Sequence, residues 1–227
     1  EKKLFEKSDI IILLTHSAKD YVIKTFKVKE NEIYVIPCCV DYDRFKIIDD
    51  NKKNIIKKQF GFEESSIIIG YVGTLSNLYM VEKMFTFFEN IFKKNKNFRF
   101  LIVTKSNKYL QKYIEKYDVF FNKNICQHIE VSANKINRIY NIFDFSLCFL
   151  VPSFARIGTS PIKISESLAS GVPVICQKGI GDIDYLSKKI SGIFIFDFLK
   201  KNSLDYAVSF VSKSNSTDKC LIRNKSK

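Results

Sequence analysis

Apolar runs of strand length recur at 10–14 (IIILL), 33–36 (IYVI), 67–72 (IIIGYV), 99–104 (RFLIVT), 145–150 (FSLCFL), 172–176 (VPVIC) and 193–196 (IFIF). They are apolar on both faces, as strands buried in a parallel sheet between two helical layers must be. Between them, Val81, Met84, Phe85, Phe88 and Phe92 share one helical face. Leu110, Ile114 and Tyr117 share another, and Ile136, Ile139 and Phe143 a third. Regular alternation of strand and helix from about residue 60 predicts an α/β fold with a doubly wound, Rossmann-like parallel sheet. Such sheets take their ligands at the carboxyl ends of the strands.

The stretch 41–64 breaks this rhythm: it is polar and rich in lysine, and reads as an interdomain hinge followed by one helix. The strand, helix over 17–27 and strand that precede it are too little for a domain. The expected organisation is the tail of a preceding domain and hinge over 1–48, the main domain over 49–215 with a helix near 203–213, and a lysine-rich tail over 216–227. No internal repeat is visible.

At 227 residues, 46% hydrophobic, the chain can bury the core of one good domain. No apolar stretch reaches the roughly 18–20 residues of a membrane span. The opening residues carry charges of both signs, so no signal peptide is expected, and the absence of an initial Met suggests a fragment. Six cysteines form no C-x-x-C pair and only two histidines accompany them, so free buried thiols in the cytoplasm are expected, without zinc. The net charge of +13 is spread over helices and loops rather than gathered in a stripe. That argues against a nucleic-acid partner and for peripheral attraction to anionic lipid headgroups.

The segment 159–173, TSPIKISESLASGVP, carries the candidate chemistry. Ser160 is placed to cap a helix, Pro161 to open it and Gly171 to follow its end. The start of such a helix presents N–H groups and partial positive charge to a phosphate, and Lys163 adds a full charge in the first turn. Glu166 lies on the same face one turn on, within reach of a ribose diol, although the same pair could be an ordinary solvent-facing ion pair. Gly70 and Gly73, at the exit of the strand at 67–72, would let the backbone approach a phosphate closely, or simply make a tight turn. The glycines at 179 and 181 and Asp182 are turn residues with a second, sugar-facing reading. His16 and His128 fit no nucleophilic arrangement.

Three blocks, at 8–45, 67–88 and 141–186, resemble glycosyltransferase family 4 in order and spacing. The first ends in Ile36, Pro37, Cys38, Cys39, Val40, Asp41, similar to the Ile-Pro-Asn-Gly-Val-Asp with which members enter the hinge. The resemblance implies a retaining sugar transferase of the two-domain GT-B type. Residues 1–48 would be the end of its acceptor domain, and 49–215 its nucleotide-sugar donor domain. It implies Lys163 as the catalytic diphosphate contact, matching a branch that reads Pro-x-Lys-x-x-Glu, and Glu166 on the ribose. Gly73, Thr74, Ser160, Gly181 and Asp182 would line the donor, with the backbone from Glu130 to Ser132 near the base. No metal or cofactor is implied. The partners would be a nucleoside-diphosphate-sugar and a glycan or lipid-linked acceptor.

Two departures stand out. Gly158 occupies the position of a glutamate that touches the transferred sugar in many relatives, and Thr74 that of a phosphate-binding arginine. Two competing readings are a nucleotide-sugar epimerase of similar architecture and a nucleotide-binding module without catalysis.

Overall fold

The computed structural model describes residues 2–105, 108–214 and 218–226. The chain opens with α1 (Lys2–Lys7), β1 (Ile11–Leu13), α2 (His16–Phe26) and β2 (Ile33–Val35). The two strands pair in parallel, Ile11 opposite Ile33, over a small core of Ile11, Val22, Val28 and Ile33. α3 (Asp50–Gln59) follows the hinge.

The main body then alternates β3 (Ile67–Val72), α4 (Val81–Lys94), β4 (Phe98–Val103), α5 (Lys108–Lys116), α6 (Asp118–Asn122), β5 (Cys126–Ile129) and α7 (Ile136–Tyr140). It continues through β6 (Phe145–Cys148), α8 (Ile162–Ala169), β7 (Val174–Gln177), α9 (Ile183–Leu186), β8 (Ile193–Phe196), α10 (Ser203–Lys213) and α11 (Lys219–Ser226). The sheet has six strands in the order β5-β4-β3-β6-β7-β8, and every pairing is parallel. The strand order reverses between β3 and β6, which opens a crevice at their carboxyl ends.

Alternation along the strands divides the core. Ile69, Tyr71, Phe100 and Ile102 face one side, under Met84, Phe85, Phe88 and Ile91 of α4. Ile68, Leu101 and Val103 face the other, with Ile56 of α3 and Ile139 of α7. A period of two in the sheet thus meets a period of 3.6 in the helices on each face. A third cluster joins Cys148, Val174 and Cys176 to Ile164 and Leu168 of α8 and Ile222 of α11.

β5 is absent from the strands expected above: Cys-Gln-His-Ile is short, half polar and sits on the sheet edge. The hinge is also packed further into the main body than its composition suggests. Phe45 is buried in the same cluster as Ile68 and Leu101, and the Asn141 side chain binds Ile48 N at 2.9 Å and Lys46 O at 2.8 Å.

The expected tail contains α11, docked against α8. Ile222 is fully buried against Gly192, and the Arg223 guanidinium donates to the carbonyls of Phe45, Ala169 and Tyr42. Asn215, Ser216, Thr217 and Lys227 lie outside the described residues.

All six cysteines are free, with Cys126, Cys148 and Cys176 buried and Cys39 and Cys220 exposed. Among the described residues, no helix is long and apolar enough to cross a membrane.

Candidate functional site

α8 starts one residue later than its sequence suggests. Pro161 has extended backbone (φ −73°, ψ 111°) and stands at the cap position, and no side chain caps the helix. The Ser160 hydroxyl therefore does not serve α8; it accepts from Cys38 N at 3.1 Å and ties the hinge entrance to the main body. The far end follows the expected pattern. Gly171 has φ +70°, Val172 N donates to Ser167 O and Gly171 N to Leu168 O, the pair of bonds that closes a helix through a left-handed residue.

The first turn carries Lys163 into the crevice at the strand-order reversal. Its side chain is buried, only 9% exposed, and among the described residues no carboxylate pairs with it. Its Nζ lies 4.5 Å from the ring centre of Tyr71 and 4.1 Å from that of Tyr79, and 3.5 Å from Tyr71 Oη.

Close against the ammonium stands Gly73, with φ +131°. A Cβ there would come within 2.9 Å of Lys163 Nζ, so a side chain would be both strained and in the path of the ammonium. Gly73 N still bonds to Val103 O at 2.9 Å, extending the sheet one residue beyond β3. The next residue, Thr74, is exposed and its carbonyl accepts from Tyr71 Oη at 3.0 Å. The structure thus brings Lys163, Gly73 and Thr74 together.

Gly70 does not join them. It lies within β3, where a Cβ would fall 2.1 Å from the Phe143 ring, so its role is to admit that ring into the core. The expectation of a phosphate-approach glycine at 70 is corrected accordingly.

Glu166 is half-buried, with Oε2 accepting from Tyr140 Oη at 3.1 Å. Burial raises its pKa above the usual carboxylate range, opposed by the Tyr140 hydrogen bond and by the charges of Arg44 and Lys163. The side chain is therefore not a free surface ion pair. Arg44, from the hinge, also donates to Ala133 O, so the segment after β5 is linked to the Glu166 side of the crevice. Ser132, exposed, precedes it with its hydroxyl bonded to Asn134. No local pattern in the sequence marks Tyr71, Tyr79, Tyr140 or Arg44; only the fold connects them to Lys163 and Glu166.

Gly181 and Asp182 meet the first part of the chain. The Asp182 carboxylate accepts from His16 N at 2.7 Å, Ser17 N at 3.0 Å and Ser17 Oγ at 2.9 Å, so it neutralises the start of α2. Gly181 has φ +49°, and a Cβ there would strike Thr159 O at 2.2 Å. Thr15 caps α2 through Ala18 N and donates to Ile157 O at 2.5 Å. These residues join the two parts of the chain, and Asp182 also lines, with Thr15, His16, Ser160 and Pro161, a cavity at the start of α8.

A family model described as glycosyl transferases group 1 matches residues 52–227. A search of the curated proteins returns no match. Among solved structures, HepE from Anabaena, in complex with UDP and glucose, aligns with a TM-score of 0.72 at 12% identity, over 100% of this chain and 62% of that one. A glycosyltransferase from Rickettsia africae aligns with a TM-score of 0.72 at 17% identity, over 99% of this chain and 60% of that one. Sucrose-phosphate synthase from Thermosynechococcus elongatus gives 0.69 at 15% identity, over 100% and 53%. The chain therefore spans between 53% and 62% of these neighbours, and at such identities the likeness carries the fold, that of GT-B glycosyltransferase domains. With its sheet order, its crevice and the family match over residues 52–227, this chain belongs to the group 1 glycosyltransferases.

Proposed function

We propose that the protein carrying this chain is a retaining glycosyltransferase that moves a sugar from a nucleoside-diphosphate-sugar to a glycan or lipid-linked acceptor, and that the main body is its donor site. The observation that carries this reading is Lys163: a buried ammonium without a carboxylate partner among the described residues, close against Gly73 and one turn from Glu166. A buried cation calls for a counter-charge, and a diphosphate supplies one. HepE is crystallised with UDP and glucose, which makes a UDP-sugar the first donor to test.

As the bond between anomeric carbon and phosphate breaks, negative charge grows on the leaving diphosphate. Lys163 and the uncapped start of α8 oppose that charge without reorganising, so they favour the transition state over the ground state. Glu166 accepts from the ribose hydroxyls, and the segment through Ser132 flanks the base. On this reading, lysine and helix dipole do the electrostatic work that a metal ion does in other phosphoryl sites, and no metal is required. The distributed charge of +13 suits work at an anionic cytoplasmic membrane face.

The test is steady-state kinetics of the whole protein with a UDP-hexose. Lys163→Ala lowers kcat by about 10²–10³-fold, Glu166→Ala chiefly raises the donor KM, and a chelator leaves the rate unchanged. Wild-type kinetics in both variants would refute the assignment, and conversion of the sugar in the absence of acceptor would indicate an epimerase instead.

A further inference from the structure

Lys163 reaches the crevice through two aromatic faces. Tyr71 is fully buried on β3, Tyr79 is half-buried on the loop before α4, and their rings meet edge to face at 5.7 Å and 80°. We infer that Tyr71 and Tyr79 are positioning residues: they form an aromatic cradle that holds the Lys163 ammonium in place for an incoming diphosphate. The inference rests on the donor-site reading above, and adds to it the device that keeps the lysine aimed.

A lysine side chain loses rotamer entropy when fixed, and no carboxylate among the described residues fixes this one. A carboxylate in that place would also have to be displaced by the diphosphate, or would repel it. Two ring faces at 4.5 and 4.1 Å attract the cation through their quadrupoles, and one N–H donates to Tyr71 Oη at 3.5 Å, which leaves the other N–H donors for phosphate oxygens.

The cradle is itself anchored. Tyr71 Oη donates to Thr74 O at 3.0 Å, which couples the ring to the turn after Gly73. Burial raises the Tyr71 phenol above its ordinary range, so it remains a donor. The Tyr79 backbone bridges to Leu150, and Met80 N donates to Phe149 O at 2.7 Å, so the loop is stitched across the crevice to the chain leaving β6. The tyrosines and the lysine thus come from both sides of the strand-order reversal.

The experiment compares wild type, Tyr79→Phe and Tyr79→Leu, each also in a Lys163→Met background, by calorimetric titration with UDP. In parallel, NMR locates the Lys163 ε-methylene protons, assigned by their loss in Lys163→Met. Ring currents are expected to displace these protons upfield in wild type and Tyr79→Phe, with the displacement reduced in Tyr79→Leu. UDP affinity is expected to stay within about twofold in Tyr79→Phe and to fall about tenfold in Tyr79→Leu, the equivalent of about 1.4 kcal/mol. In the Lys163→Met background the Leu change should cost nothing more.

An equal loss in that background would overturn the inference, because Tyr79 would then act other than through Lys163. So would undisplaced Lys163 protons in wild type, a result that needs no variant to fold. Displaced protons in a wild type without affinity for UDP, GDP or pyrophosphate would instead overturn the donor-site reading, and the positioning role with it. Should Tyr79→Leu not fold, Tyr79→Met removes the ring with a longer side chain and is read in the same way.

Discussion

Glu166 joins a structural cost to a proposed function. A carboxyl whose pKa rises on folding binds its proton more tightly in the native state, so it costs stability progressively as the pH climbs from its ordinary value, and in full above the raised one. Glu166→Gln keeps an acceptor for Tyr140 and removes the buried charge. Its unfolding midpoint should lie above that of wild type at pH 7, with the gap closing as the pH falls from the raised value towards the ordinary 4.5 and gone below it. A lower midpoint at pH 7 would show that the carboxylate is a net stabiliser and not a group held ready for a ligand. The spacing of Lys163 and Glu166 was legible because Pro161 and Gly171 bracket a helix, and the helix then sets which side chains share a face. The partners of both were not legible. Tyr71 looks like any strand residue and Tyr140 like any helix residue, and only the parallel stacking of β3 beside β6 brings them to α8.

At the level of elements, Gly181 and Asp182 show how the two parts of the chain are joined. Asp182 meets Ser17 from 165 positions away, a pairing no local pattern reveals, whereas its place in a Gly-Ile-Gly-Asp turn was plain. Asp182→Ala should cost about 0.5–2 kcal/mol, as for other helix-start acceptors. Amide exchange should quicken in α2 while the amides of α4 keep their protection; unchanged exchange in α2 would mean that Thr15 alone caps the helix.

α11 offers a second test. Burial, reinforced by the charge of Lys53, pushes the Lys219 ammonium down to about 8 from 10.5. The native state then binds that proton less tightly than the unfolded chain, so stability from this group grows as the pH rises from about 8 towards 10.5 and is absent below. Lys219→Met should therefore be more stable than wild type at pH 7, with the difference shrinking through that window. A constant difference would place the lysine in solvent. The two elements hardest to foresee, β5 and α11, share a cause: both are short and half polar, and neither shows a sustained apolar period.

At the scale of the whole molecule, the order β5-β4-β3-β6-β7-β8 decides where a ligand can bind, because only at the β3–β6 boundary do successive helices leave the sheet on opposite sides. The apolar runs announced the parallel sheet, and the lysine, the glycine turn and the glutamate all come to that boundary or beside it. Asp182 holds the start of α2 against the main body and lines the cavity at the start of α8, so the junction and that helix entrance adjoin. The central claim is that the crevice where Lys163 meets Gly73 receives a diphosphate. A crystal structure of the protein with UDP tests it most directly. The account predicts phosphate oxygens within hydrogen-bond distance of Lys163 Nζ and of the first turn of α8, with the ribose hydroxyls on Glu166. A diphosphate bound elsewhere, with Lys163 still enclosed by Tyr71 and Tyr79 and touching no oxygen of the ligand, would contradict it.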